Sequence, residues 1–199
     1  AFGNNNYSMQ LSELEMVIDW VASSANEYNK AINKNEIYLI GHSMGGGICI
    51  LQAAADSRIK KLVGWAAINE CKTPWGNWPF AKMQEWKTTG VQYYLNGRTA
   101  QQMPLYYQLY EDYMINKDKL DIKKAIQKLS IPVLICHGIM DTAVPVEKAY
   151  ELKELQPAAE IFTVDSDHVF GRKHPWTETA LPPAMQAVLD KTLQFLKQA

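Results

Sequence analysis

The chain has 199 residues, 47% hydrophobic and 21% charged, a balance that fits an ordinary globular domain. Twenty basic and twenty-one acidic side chains leave a net charge of -1, which argues against the basic footprint of a nucleic-acid binder or of a protein held on an anionic membrane. No apolar run approaches the roughly eighteen residues of a membrane-spanning helix, and no Cys–His spacing resembles a zinc site.

The Asn-rich opening, AFGNNNYSMQ, carries no targeting pattern and no opening strand, so the chain is expected to begin inside a longer domain. Leu11, Leu14, Val17, Ile18 and Val21 then mark one face of an amphipathic helix, with Ser8 as its expected N-cap. A buried strand starts at Ile37 and a helix of small residues starts at Met44. Lys61–Asn69, Ile131–Gly138 and Ala159–Val164 read as further buried strands. Between the last two lies a helix opened by Pro145 at a first-turn position. A final helix carries Met185, Val188, Leu189, Leu193 and Leu196 on one face. Strands alternating with helices imply an α/β fold, a mostly parallel, doubly wound sheet covered on both sides. The chain is expected to form one domain over residues 1–199.

Residues 70–129 break the alternation. They show no clear strand and hold ten of the chain's twenty-one aromatic residues, the composition expected of a helical lid inserted into the domain. Cys49, Cys71 and Cys136 read as free buried thiols, which favours a reducing compartment.

The chemistry starts at the turn between the Ile37 strand and the Met44 helix. Gly41-His42-Ser43-Met44-Gly45 fits G-x-S-x-G. A strand that turns at once into a helix strains its middle residue and needs neighbours without side chains. The serine hydroxyl is then held out at the C-terminal end of the strand. The first N–H groups of the helix, unpaired by construction, point to where an oxyanion would form.

A serine nucleophile needs a base, and the base an orienting acid. Among the four histidines, His168 stands four residues beyond the last strand and is the expected base, with His174 its rival. His42 should point away from the chemistry, and His137 reads as a packed or hydrogen-bonded histidine. Asp141, just after the Ile131–Gly138 strand, is the expected acid, and Glu70 competes with it. Asp165 and Asp167 are expected to shape the histidine loop. The order Ser43, Asp141, His168 suits a G-x-S-x-G nucleophile on a doubly wound sheet.

With GHSMGG, PVLICHGIMDTAVP and DHVFG in place, the sequence resembles the α/β-hydrolase superfamily, and within it the dienelactone-hydrolase and prolyl-oligopeptidase-like group. The resemblance implies Ser43 as nucleophile, His168 as general base and acid, Asp141 as orienting acid and the Met44 N–H as an oxyanion donor. It implies no metal and no cofactor. It also implies several strands before Ile37, where the sequence offers a loop and one helix, so N-terminal strands are expected to be missing and the Ile37 strand to lie at a sheet edge. The expected reaction is ester hydrolysis through an acyl-enzyme, on a small-molecule ester. The alternatives are a short-peptide substrate whose amino terminus meets Glu70, Glu85, Glu111 or Asp112, and a non-catalytic binding protein on the same fold.

Overall fold

The computed structural model describes residues 2–96, 100–173 and 175–198. In chain order its elements are α1 (Tyr7–Ala22), β1 (Ile37–His42), α2 (Met44–Ala55), β2 (Ile59–Trp65), α3 (Phe80–Thr89), β3 (Val91–Leu95) and β4 (Gln102–Tyr106). They continue with α4 (Gln108–Asn116), α5 (Ile122–Gln127), β5 (Val133–Gly138), α6 (Glu147–Leu155), β6 (Glu160–Val164) and α7 (Pro183–Lys197).

Four of these strands form a parallel sheet in the order β1-β2-β5-β6. Leu39 sits opposite Leu62, Val63 opposite Leu134 and Ile135 opposite Ile161. Successive side chains on a strand face opposite ways, so each strand feeds two cores. Leu39, Leu62, Val133 and Ile135 pack with Ile18 of α1, Ile48 and Leu51 of α2, Ile126 of α5 and Leu152 of α6. Val63, Leu134 and Cys136 face the other way, onto Val188 and Phe195 of α7. Both faces are therefore covered, as continuous apolar strands require. Among the described residues β1 pairs on one side only and lies at the sheet edge.

Local chemistry adjusts several expected boundaries. α1 is capped by Asn6, whose side chain accepts the Met9 N–H at 2.8 Å, while the Ser8 N–H is taken up by Asp112 at 3.1 Å. Its buried face carries Tyr7, Leu11 and Ile18, and Val17 is exposed, because the helix turns towards α2 and α4. β2 stops at Trp65, short of Asn69, since Ala66 adopts a φ of 47° that no strand can hold. Pro145 lies two residues ahead of Glu147, the first residue of α6. From β2, Lys61 reaches the end of α7 and donates to the carbonyls of Leu196 and Gln198, a cation on unpaired helix-end carbonyls.

Residues 70–129 contain two strands that the sequence does not announce. β3 and β4 form an antiparallel hairpin with Val91 opposite Tyr106. Trp86 of α3 anchors this region: it is fully buried, its indole N–H donates to the Leu105 carbonyl at 2.7 Å, and Trp75, Trp78, Tyr107 and Tyr110 ring it at centroid distances of 5.2–6.4 Å. Trp86→Ala should cost about 3–5 kcal/mol. Urea unfolding should show one shifted transition. A parent-like main transition with a separate early one would mean that this region unfolds on its own.

Candidate active site

Ser43 joins β1 to α2 with φ 56° and ψ -122°, a conformation that costs a non-glycine residue about 1–3 kcal/mol. Hydrogen bonds on both sides hold it there. Its N–H donates to the Trp65 carbonyl at 2.8 Å, and its own carbonyl accepts the N–H of Gly46 at 3.0 Å and of Ile68 at 3.2 Å. The glycines make the turn possible. A Cβ on Gly41 would collide with the Gly45 carbonyl, and one on Gly46 would lie 2.6 Å from the Ala67 Cβ. Met44 and Gly45 open α2, so their N–H groups have no partner carbonyl within the helix.

The acid and the histidine arrive on two loops joined to each other. Just past β5 and β6, the Ile139 N–H donates to the Val164 carbonyl at 2.9 Å and the Met140 N–H to the Ser166 carbonyl at 3.0 Å. Asp141 follows, its side chain fully buried. Its Oδ1 accepts the N–H groups of Ala143 and Val144, each at 2.8 Å, and its Oδ2 accepts from His168 Nδ1 at 2.6 Å. His168 Nε2 lies 2.9 Å from Ser43 Oγ. With the imidazole proton on Nδ1, facing the carboxylate, Nε2 presents a lone pair to the serine hydroxyl. The structure thus brings Ser43, His168 and Asp141 into one chain of hydrogen bonds.

Phe170 holds the histidine loop down. Its φ is 57°, its ring is fully buried, and it packs edge-on against Trp65 at 6.1 Å. Asp167 shapes the same loop by accepting the N–H groups of Val169 and Gly171. Asp165 is exposed.

The other expected residues fall elsewhere. His42 does not point away: its Nε2 lies 2.8 Å from the His168 carbonyl oxygen and its ring 4.8 Å from the His168 ring. This contact joins residues 126 positions apart, and no local pattern encodes it. His137 is fully buried beside Asp141. His174 lies outside the described residues. Glu70 is drawn off to Lys72 at 2.7 Å and Lys123 at 2.9 Å, which hold its carboxyl down at about 2. The cysteines are free, and burial pushes Cys49 up to about 11 and Cys71 and Cys136 to about 12, so that each is a thiol at neutral pH.

A cavity of about 200 Å³ opens beside Met44, with an apolar lining that includes Phe2, Pro74, Tyr94, Leu105 and Leu109. A larger one of about 510 Å³ sits at the far end of α2, against Asp56 and Arg58, a helix length of about 18 Å from the serine. Its distance from Ser43 separates it from the chemistry.

Residues 2–155 match the BD-FAE family. Among solved structures, an Agrobacterium vitis protein described as a hydrolase superposes with a TM-score of 0.74 at 18% identity, over 99% of this chain and 71% of its own. A monoacylglycerol lipase from Paleococcus ferrophilus gives 0.67 at 16% identity, over 99% and 77%. Est1E from Butyrivibrio proteoclasticus, with ferulic acid bound, gives 0.68 at 20% identity, over 98% and 71%. These likenesses show the fold. No curated protein matches the sequence.

The Glu70 ion pairs predict a pH effect on stability. Their contribution is complete above the ordinary glutamate value of 4.5 and is lost as pH falls towards about 2. Glu70→Gln should therefore lower the urea midpoint at pH 7, modestly because the pairs are half exposed. The gap to the parent should close by about pH 2. A gap that stays constant down to that pH would remove the charge pairing as its cause.

Proposed function

The chain belongs to the BD-FAE family of α/β-hydrolase-type domains, and on that footing we propose that it is a serine esterase that cleaves a carboxylic ester through an acyl-enzyme. The observation that carries this reading is the hydrogen-bonded order Ser43–His168–Asp141 at 2.9 and 2.6 Å. Ser43 Oγ attacks the acyl carbon while His168 Nε2 takes its proton. The carbonyl oxygen becomes an oxyanion next to the N–H of Met44, at the start of α2, where the helix dipole also favours negative charge. The C–O bond to the alcohol then breaks, and His168 returns the proton to the departing oxygen. Water repeats the sequence on the acyl-serine and frees the acid. Asp141 keeps the imidazole in the correct tautomer and balances its charge while it is protonated.

The apolar cavity beside Met44 suits the acyl half of the substrate. Ferulic acid bound to Est1E is a compact aromatic acid, and a group of that kind fits the aromatic side chains that line the cavity here. Two carboxylates that could have met a peptide's amino terminus are engaged within the protein: Glu70 with its lysines, and Asp112 with the Ser8 N–H and Asn116. Both facts favour the ester over the peptide.

Ser43→Ala should lower kcat on p-nitrophenyl butanoate by up to about a millionfold, and Asp141→Asn by about ten-thousandfold. Labelling by a fluorophosphonate should vanish in Ser43→Ala. Persistent turnover in that variant would end the assignment. For the acyl cavity, kcat/KM should rise roughly tenfold from the acetyl to the butanoyl ester. A flat series would place the acyl group elsewhere.

A further inference from the structure

His137 is a fully buried histidine next to the acid, and the mechanism above does not use it. It is the penultimate residue of β5, inside the turn that carries Asp141. Its Nε2 lies 2.8 Å from the Val144 carbonyl oxygen and 3.3 Å from Asp141 Oδ2. A carbonyl can only accept, so the ring proton sits on Nε2 and that N–H faces both oxygens. The other nitrogen, Nδ1, is buried without a partner among the described residues.

That orphan is informative. A buried polar atom without a partner is unfavourable, and an apolar ring of the same size would avoid it. The position nevertheless holds a histidine, and both contacts of its engaged nitrogen belong to the acid's turn. The two oxygens of the carboxylate are also not equivalent. Oδ1 is fixed by the N–H groups of Ala143 and Val144, whereas Oδ2 is the oxygen that holds His168. His137 reaches Oδ2. Through the Val144 carbonyl it also braces the residue whose N–H holds Oδ1.

We propose that His137 is a positioning residue for Asp141: its Nε2–H, shared between the Val144 carbonyl and Oδ2, holds the carboxylate in the orientation that His168 needs. The proposal rests on the esterase reading of Ser43, His168 and Asp141. Without this donor the fold survives, but the carboxylate, still anchored at Oδ1, can swing Oδ2 about that anchor, and the imidazole loses its alignment with Ser43.

The test is steady-state hydrolysis of p-nitrophenyl butanoate by the full chain, with thermal melts to confirm folding. His137→Phe, which keeps the ring and loses the donor, should lower kcat by about 10- to 100-fold and change KM by less than about twofold. His137→Gln, whose amide N–H can stand where Nε2 stood, should recover most of that loss. In an Asp141→Ala background, His137→Phe should cost nothing further, because the group it positions is gone. If His137→Phe does not fold, His137→Asn, too short to reach Oδ2, takes its place in each comparison. The proposal is overturned by parent-like kcat in the folded donor-less variant, by a Gln variant no better than that one, or by full additivity with Asp141→Ala. Ser43→Ala separates the two levels: turnover that survives it removes the esterase reading, while its loss beside an unaffected His137→Phe removes only the role of His137.

Discussion

The site depends on holding a serine at a positive φ between a strand and a helix. Left to itself, Ser43 would relax to a negative φ and its hydroxyl would swing away from His168. It is held by β2, through the Trp65 carbonyl, and by the turn of α2 that closes on its own carbonyl. Both contacts need the backbones to approach more closely than side chains allow. The composition of α2 follows from that need: Gly46 lies against Ala67, and Gly47 against Ile68 and Ile122. Small residues here are a consequence of the turn, and the turn is what aims the hydroxyl.

The carboxylate poses the complementary problem. A fully buried charge is tolerated only when its oxygens are satisfied. Two backbone N–H groups and two imidazoles face Asp141, so its turn is as constrained as that of Ser43. The joining of the 139–141 and 164–166 segments by backbone hydrogen bonds then ties the turn of Asp141 to the start of the His168 loop. A Cβ on Gly138 would strike the Ser166 carbonyl, so this junction too depends on a missing side chain.

These constraints explain what the sequence reveals. Glycine spacing and apolar strand ends are local signals, so the serine turn between β1 and α2, the strand carrying Asp141 and the loop of His168 can be read directly. The sheet follows from the same pattern. Local signals fail where two compete or where contacts are distant. Asn6 and Ser8 are both good caps, and α4 decides between them: Gln108 holds the Asn6 amide, and Asp112 takes up the Ser8 N–H. The hairpin of β3 and β4 is hidden by its polar and aromatic composition and by Pro104, although the Asn96-Gly97 pair is a turn signal. His42 meets His168 only once the outer strands of the sheet have assembled, and His137 reads as a plain core residue until the turn folds over it.

The strand order carries a consequence of its own. Ser43 leaves β1 and His168 leaves β6, the two outer strands of the described sheet, while Asp141 leaves β5 inside it. Three interstrand gaps, about 14 Å in all, separate β1 from β6, and the loop carrying Phe170 spans them. The contact between Ser43 and His168 thus spans the full width of the described sheet, and a change of twist between any two of its strands is felt at that single 2.9 Å hydrogen bond.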